Sequence, residues 1–383
     1  MKIIVAPNAL KGSLSATAAA RAMAAGVRLA APTAEVVQIP VADGGDGLLE
    51  VLGAGRDLQR IPCSVSGPLG DPVAAALLYS AGRRLAIIEM ATAAGLALLQ
   101  PSGLDPMQAT TFGVGELLQR ALEHGAQHII LGIGGSATSD GGTGLARALG
   151  ARFLDAHGKE LPGNAAALQH IKRIDLERLD PRLARVRIDV ICDVDNPLLG
   201  AAGAARVFAP QKGASPEQVE AIEAGLENLA NLVEQQLGRD IRNLRGGGAA
   251  GGLGAGLVVF LQAELSPGAA LVLELTGFEA ALDGASLVLT AEGRLDDQTA
   301  HGKAPAEVAR VAHRRGIPCI AIAGSLGPDL QALQAAGITA CFSLCPGPLD
   351  LDGAMRQAAP LLTRACEQAV RCFLAGNAAN PKS

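Results

Sequence analysis

Residues 286–309 read SLVLTAEGRLDDQTAHGKAPAEVA, and this stretch decides the fold class. The apolar run 287–290 predicts a buried strand, and Pro305 falls in the first turn of a predicted helix, where its missing N–H does no harm. The predicted loop between them mixes both signs of charge with amide and hydroxyl groups, so a ligand site is favoured over a solvated turn. A strand that ends in polar residues just before a helix is typical of the ligand-binding edge of an open α/β sheet.

The same alternation of strand and helix occurs at both ends of the chain. At the front, the pattern predicts strands over 3–6 and 35–39 and helices over 16–30 and 48–53, with Ser15 as an N-cap. At the back, it predicts strands over 287–290, 319–323 and 341–344 and helices over 304–315, 328–336 and 353–373. We expect the tail from residue 377 to be disordered.

The middle of the chain has a different pattern. From about residue 60, short segments of alternating polarity separated by turn residues indicate an antiparallel or mixed meander. We therefore predict an α/β protein with two domains. Residues 1–65 and 285–383 form a discontinuous Rossmann-like parallel-sheet domain, and residues 66–284 form an inserted mixed α/β domain. Because domain junctions favour pockets, we expect the active site in the cleft between the two domains.

Composition excludes several classes of protein. The net charge of −5 and the aromatic content of 2% argue against a nucleic-acid partner. The longest uncharged run, residues 246–263, contains seven glycines and does not predict a membrane span, and the N-terminus is not typical of a signal peptide. Seven cysteines without a CxxC motif indicate reduced thiols. We expect a cytoplasmic protein that binds no membrane, and the oligomeric state stays open.

Two glycine-rich segments could bind anions. Residues 132–142 lie between a predicted strand and helix, and the hydroxyls of Ser136, Thr138 and Ser139 with free backbone N–H groups could cradle a phosphate or carboxylate. This segment is neither a P-loop nor a Rossmann fingerprint. Residues 246–251 do match GxGxxG, but no clear strand precedes them, and a structural turn explains them equally well.

Charged residues in the predicted loops fit phosphoryl transfer, which needs charge neutralisation, metal and positioning. Asp193 and Asp195 follow a predicted strand and could hold Mg²⁺ or orient a hydroxyl, although they could also cap a turn before Pro197. Asp43 and Asp46, each beside a glycine, have the same two interpretations. The lysines Lys11, Lys212 and Lys303 each stand beside a glycine in a polar loop.

Several of these stretches together resemble the bacterial glycerate kinases of the glycerate kinase type-1 family. The resemblance spans nearly the whole chain to about residue 373. It rests on residues 6–14 (APNALKGSL), 41–47 (VADGGDG), 132–142 (GIGGSATSDGG), 192–198 (CDVDNPL), 210–214 (PQKGA) and 292–296 (EGRLD), with Gln298, Thr299, Gly302 and Lys303. It implies ATP-dependent phosphorylation of D-glycerate with Mg²⁺, with 2-phosphoglycerate as the expected product, on two α/β domains. Two departures are Asn8, where the family usually has Asp, and Ala291, where it usually has Gly.

We assign candidate roles from placement in strand-end loops. Catalytic roles are predicted for Lys11, Asp193, Lys212 and Arg294. Substrate or phosphate binding is predicted for Ser13, Gly134, Gly135, Ser136, Thr138, Asn196, Gln298 and Lys303. Metal binding is predicted for Asp43, Asp195, Glu292 and Asp296. Two alternatives stay open: a non-catalytic hydroxyacid or nucleotide sensor, motivated by Asn8, and a dehydrogenase that uses residues 246–251.

Overall fold

The computed structural model describes residues 1–42, 44, 47–53, 57–296 and 299–379. The strands are β1 (Lys2–Val5), β2 (Glu35–Gln38), β3 (Gln59–Ser66), β4 (Pro72–Ser80), β5 (Leu85–Glu89), β6 (His128–Gly132), β7 (Arg152–Leu154), β8 (Arg173–Asp175), β9 (Arg187–Ile191), β10 (Glu264–Ser266), β11 (Ala285–Leu295), β12 (Cys319–Leu326) and β13 (Ile338–Ser343).

The α-helices are α1 (Ala16–Ala30), α2 (Leu48–Leu52), α3 (Ala91–Ala94), α4 (Phe112–Glu123), α5 (Thr143–Ala148), α6 (Ala204–Phe208), α7 (Pro216–Leu237), α8 (Ala249–Leu261), α9 (Gly268–Leu275), α10 (Phe278–Ala281), α11 (Ala304–Arg314), α12 (Gln331–Ala335), α13 (Leu351–Arg356) and α14 (Ala358–Ala379). Short 3₁₀ helices are Leu96–Leu98, Pro101–Gly103, Ala165–His170, Pro181–Arg185, Pro210–Lys212 and Thr299–His301.

One compact unit, which we call the outer unit, is built from both ends of the chain: Met1–Asp43, Glu50–Leu52 and Pro267–Ser383. Its five-stranded sheet has the order β2-β1-β11-β12-β13, and every pair of neighbours is parallel. Numbered along the chain, this is the doubly wound order 2-1-3-4-5, whose topological switch point lies between β1 and β11. Ligands of such sheets bind beyond the carboxyl ends of the strands at that point.

Helices cover the sheet of the outer unit because its strands are apolar on both faces. The Ser15 hydroxyl caps α1, as predicted, by accepting from the N–H of Ala18. Helices α1 and α14 pack closely, and a Cβ at Gly26 would lie 2.3 Å from the carbonyl oxygen of Thr363. The side chains of Ile3, Leu287 and Ile322 lie in the resulting core.

The second compact unit, the inner unit, comprises Gly44–Leu49 and Gly53–Ser266. Its six-stranded sheet has the order β10-β9-β6-β5-β4-β3, parallel from β10 to β5 and antiparallel from β5 to β3. The antiparallel strands are the meander predicted from residue 60. A separate hairpin pairs β7 with β8. The mixed α/β fold class predicted from the sequence is therefore confirmed.

Several predicted bounds differ from the structure. Strand β3 is hydrogen-bonded to β4 and therefore belongs to the inner unit, and α9 packs on α11 and therefore belongs to the outer unit. The boundaries between the units lie at residues 43–53 and 266–267, whereas we predicted residues 65 and 285. Strand β11 continues to Leu295 instead of ending at residue 290, because it stays paired with β12. Residues 377–379 belong to α14, where we expected a disordered tail.

Among the described residues, no helix combines the length and the apolarity that crossing a membrane requires.

Candidate active site

At the switch point of the outer unit, the chain makes a tight turn after β1. Backbone hydrogen bonds of 2.9 and 3.0 Å join Leu10 and Leu14, and the Ser13 hydroxyl donates to the Leu10 carbonyl at 3.0 Å. A Cβ at Gly293 would lie 3.7 Å from the backbone nitrogen of Lys11, so this turn lies beside β11. The Lys11 side chain is exposed. The turn therefore brings Lys11 to the edge where doubly wound sheets bind ligands, while the Ser13 hydroxyl has a partner within the turn.

The end of β11 carries two acids and an arginine. Glu292 is 9% exposed, and the buried hydroxyl of Thr299 lies 3.4 Å from its Oε2. The same hydroxyl accepts from the N–H of Asp296 at 3.3 Å. The Arg294 guanidinium pairs with Asp296 at 2.9 Å, and its side chain is 68% exposed. Thr299 thus links the Glu292 carboxylate to the backbone of Asp296 at the strand end, while Arg294 stays open to solvent.

The remaining candidates near the outer sheet are less defined. Lys303 is the N-cap residue of α11 and is half-buried, and its side chain makes no capping hydrogen bond. Asp43 and Gln298 lie outside the described residues, so their predicted roles stay predictions.

In the inner unit, three parallel strands end at one level. Glu89 of β5 is in register with Gly132 of β6, which is in register with Ile191 of β9. Gly44 rests on this edge: its carbonyl accepts from Gly134 at 3.1 Å, and a Cβ on it would lie 1.9 Å from the Ile191 side chain. Only a glycine fits there.

Glu89 is a functional candidate that the sequence analysis missed. Its carboxylate is 8% exposed and accepts from the N–H groups of Gly47 and Leu49, each at 3.1 Å. It therefore holds the first turn of α2, directly after the acidic glycine-rich segment 43–47. An acid that ends an otherwise apolar strand, LAIIE, was the signal available in the sequence.

Asp140 organises the glycine-rich loop 134–142. It is fully buried, and its carboxylate accepts from the N–H and the hydroxyl of Thr111, both at 2.8 Å, and from the N–H groups of Gly142 and Gly144 at 3.0 and 3.2 Å. Burial raises the pKa of Asp140, and these hydrogen bonds oppose the rise. This residue fixes the start of α4 and α5 relative to the loop.

Several backbone N–H groups of the loop are occupied, which corrects the expectation that they are free, and those of Thr138, Ser139 and Asp140, without an acceptor among the described residues, belong to buried residues. Gly134, Ala137 and Gly141 each donate to a backbone carbonyl of another segment. Within the described part of the chain, the N–H groups of Gly135 and Ser136 have no acceptor, and these residues are exposed and half-buried respectively. An anion cradle is thus confined to the tip of the loop.

Lys212 lies beneath that tip. Its side chain is 2% exposed, and Nζ donates to the Ser136 hydroxyl at 2.9 Å and to the Thr138 carbonyl at 2.6 Å. Burial lowers the pKa of Lys212 to about 7, and the charge of Asp140 opposes that shift. A 3₁₀ helix, Pro210–Lys212, delivers the side chain, and Gly213 ends it with φ of +94°. A catalytic role was predicted for Lys212, and in the structure its amine donates to Ser136 and Thr138.

The loop after β9 is exposed. Both carboxylate oxygens of Asp195 accept from Arg245, at 2.7 and 2.8 Å, and both side chains are largely in solvent. The Asn196 amide donates to the Ala202 carbonyl at 2.8 Å. Asp193 is exposed two residues beyond the strand. Asp193 is thus more accessible to a substrate than Asn196, whose amide is engaged in its own loop.

The arrangement of the described carboxylates limits how this protein would bind Mg²⁺. Among the described residues, no group of three or more His, Cys, Asp or Glu side chains is arranged to hold a metal ion. Mg²⁺ in kinases needs one or two protein carboxylates and completes its shell with phosphate oxygens and water. Glu292 and Asp296 at the end of β11 are the candidates for such carboxylates, and Asp296 is also paired with Arg294 at 2.9 Å.

The GxGxxG segment has a packing role. A Cβ at Gly248 would lie 2.2 Å from the Pro197 carbonyl oxygen, and one at Gly251 would lie 2.0 Å from the Thr138 carbonyl oxygen. The segment follows a turn rather than a strand and runs into α8, where Ala250 has φ of +53°. These glycines allow the start of α8 to pack against Pro197 and Thr138. Nothing in this geometry favours a dehydrogenase.

Comparison with known proteins covers nearly the whole chain. A family profile described as "Glycerate kinase family" matches residues 3–374. The chain is 46% identical to a "Glycerate kinase" of Halalkalibacterium halodurans, with 95% of this chain and 96% of that protein covered. It is 44% identical over 365 residues to a "Glycerate 2-kinase" of Escherichia coli, with 95% of this chain and 96% of that protein covered.

A solved structure is also similar. The crystal structure of a putative glycerate kinase 2 from Salmonella typhimurium matches with a TM-score of 0.84 and 42% identity, over 98% of this chain and 99% of that one. The matched length includes both units and every loop described above. This chain belongs to the glycerate kinase family.

Proposed function

We propose that this protein transfers the γ-phosphoryl group of ATP to D-glycerate and forms 2-phosphoglycerate. The family match over residues 3–374 carries the proposal, and the relative named "Glycerate 2-kinase" supports the choice of the 2-hydroxyl. No observation favours a sensor or a dehydrogenase. The composition supports a cytoplasmic enzyme without a nucleic-acid partner.

The charged residues of the strand-end loops suit this reaction. Phosphoryl transfer is catalysed mainly by positioning and by stabilising the charge on the transferred group. Lys11 and Arg294 are exposed cations beside β11, and Lys303 at the start of α11 adds a third. We assign them to the anionic oxygens of ATP and glycerate. We assign Asp193 to the glycerate hydroxyl, because it is an exposed carboxylate directly after a parallel strand.

Glu292 and Asp296 would hold Mg²⁺, with Asp43 and Asp195 as further candidates. When bound, the ion supplies positive charge to the phosphate oxygens. Asp195 is a weaker candidate than Glu292, because both of its oxygens accept from Arg245.

The test is release of ADP from ATP by the purified protein with Mg²⁺, with and without D-glycerate. We expect release that depends on D-glycerate, and L-glycerate serves as the stereochemical control. Adding enolase reports the position of the phosphate, because enolase consumes 2-phosphoglycerate directly. A folded protein that releases no ADP, yet melts at a higher temperature with ATP or glycerate, would instead be a sensor.

A further inference from the structure

The tip of the loop 134–142 combines donors that have no acceptor among the described residues with a lysine amine buried beneath them. A serine hydroxyl has one proton to donate and two lone pairs to accept with. The Ser136 oxygen accepts from Lys212 Nζ at 2.9 Å, so its own proton must be donated elsewhere. Among the described residues no acceptor for this proton is found, and Ser136 is half-buried.

Two backbone donors stand next to this hydroxyl. The N–H groups of Gly135 and Ser136 have no acceptor within the described part of the chain, and Gly135 is exposed with φ of +72°. A residue other than glycine is strained at this φ. Because residue 135 is a glycine, no side chain of its own covers the N–H groups at the tip. Three donors with no described acceptor thus lie within two consecutive residues.

The buried charge behind the tip is not placed to bind a ligand itself. Lys212 has a 2% exposed side chain, and the Thr138 carbonyl accepts a second of its N–H groups at 2.6 Å. The carboxylate whose charge acts on Lys212 is Asp140, which already accepts four hydrogen bonds from Thr111, Gly142 and Gly144. Asp140 is therefore fully engaged and does not compete for the donors at the tip.

We propose that Ser136, with the N–H groups of Gly135 and Ser136, binds an anionic oxygen of a substrate, and that Lys212 is a positioning residue that acts through Ser136. This inference rests on the proposed function for the identity of the anion, which is either the carboxylate of glycerate or a phosphate of ATP. Donation from the lysine orients the hydroxyl and strengthens it as a donor, since linked hydrogen bonds polarise one another. Such a hydrogen bond to a charged group is stronger than a neutral one.

The test compares Ser136→Ala with Ser136→Thr, which keeps the hydroxyl. We expect Ser136→Ala to raise the Kd and KM of one of the two substrates roughly ten- to hundredfold, and Ser136→Thr to restore most of the affinity. Titration calorimetry with D-glycerate alone and with ATP alone tells the carboxylate from the phosphate. The control is Ser64→Ala, which removes the hydroxyl of an exposed serine on β3 of the same unit. We expect the control to bind both substrates as the wild type does.

A double-mutant cycle tests the part played by Lys212. If Lys212 acts through Ser136, Lys212→Met combined with Ser136→Ala should bind no more weakly than Ser136→Ala alone. Additive losses would overturn the positioning role, and Ser136→Ala with both Kd values within about twofold of the wild type would overturn the binding site. If Lys212→Met does not fold, the comparison of Ser136→Ala with Ser136→Thr still tests whether Ser136 binds the anion. If the wild type binds both ligands but shows no turnover, only the proposed function is contradicted. The calorimetric comparison of the Ser136 variants still tests the binding site.

Discussion

The turn 10–14 of the outer unit and the loop 134–142 of the inner unit differ in whether the lysine at each place is exposed or buried. Lys11 is exposed in a turn beside β11, whereas Lys212 is buried beneath its loop and donates to Ser136 and Thr138. Both lysines stand beside a glycine in a polar loop. A lysine in a polar loop can therefore either be open to a ligand or hold in place the groups that are. Which of these two roles it has depends on the fold and not on the local sequence.

The largest effect is expected at the exposed lysine. Lys11→Met should lower kcat/KM roughly 10²–10⁴-fold, about 3–5 kcal/mol of transition-state stabilisation, because nothing else in the turn replaces its charge. Steady-state kinetics and a melting curve measure this. The control is Lys159→Met, an exposed lysine that also stands beside a glycine, in a turn of the inner unit. Similar kinetics for the two variants would remove Lys11 from the site.

The next effect concerns the support of the loop. Asp140→Asn replaces one acceptor oxygen by an amide group that faces backbone donors, and it should cost about 1–3 kcal/mol of stability. Denaturant unfolding measures the loss. Asp155→Asn is the control, because that carboxylate also accepts two backbone N–H groups but lies in a surface turn, and it should lower stability less. Equal losses would mean that Asp140 has no special role in the loop.

Burial of Lys212 also predicts a pH dependence of stability. Below about pH 7 the amine is protonated in both the folded and the unfolded chain; between about 7 and its ordinary pKa of 10.5 only the unfolded chain keeps the proton. The wild type should therefore gain stability relative to Lys212→Met as pH rises through this window, by up to about 1.4 kcal/mol per pH unit. Denaturant unfolding at pH 7, 8 and 9 measures the difference, and a constant difference would show that the buried amine keeps its proton.

The smallest effect is expected in the loop after β9. Arg245→Ala breaks the bidentate pair with Asp195, but both side chains are exposed, at 82% and 69%. Solvent and salt screen such pairs, so the melting temperature should not change measurably. A fall comparable to that of Asp140→Asn would show that the pair holds the loop in place.

Local signals in the sequence predicted much of the fold. The apolar run of β1 and the N-cap Ser15 of α1 lie within a few residues of the elements they specify. The continuation of β11 to Leu295 was missed, because Glu292 and Arg294 look like loop residues until β12 is paired beside them. Pairing with a distant strand has no local signature.

The site was harder to predict than the fold. Lys212 was found as a candidate, but its burial depends on Ser136 and Thr138, which lie 76 and 74 residues earlier in the chain. Glu89 was missed for the same reason, since its partners Gly47 and Leu49 belong to another element. The residues could be identified from type and placement, whereas the direction in which each side chain points depends on long-range packing.

The position of β1 has a consequence for the order of synthesis. This strand lies between β2 and β11, and the Thr290 hydroxyl donates to the Ala6 carbonyl across 284 residues of chain. At ordinary translation rates, roughly 15–60 s pass between the emergence of these two residues from the ribosome. During that interval the segments of the inner unit up to residue 266 are made, while one side of an apolar strand waits for its partner. The nascent chain therefore exposes an unpaired, aggregation-prone edge until the last quarter of the chain, which begins with β11, arrives.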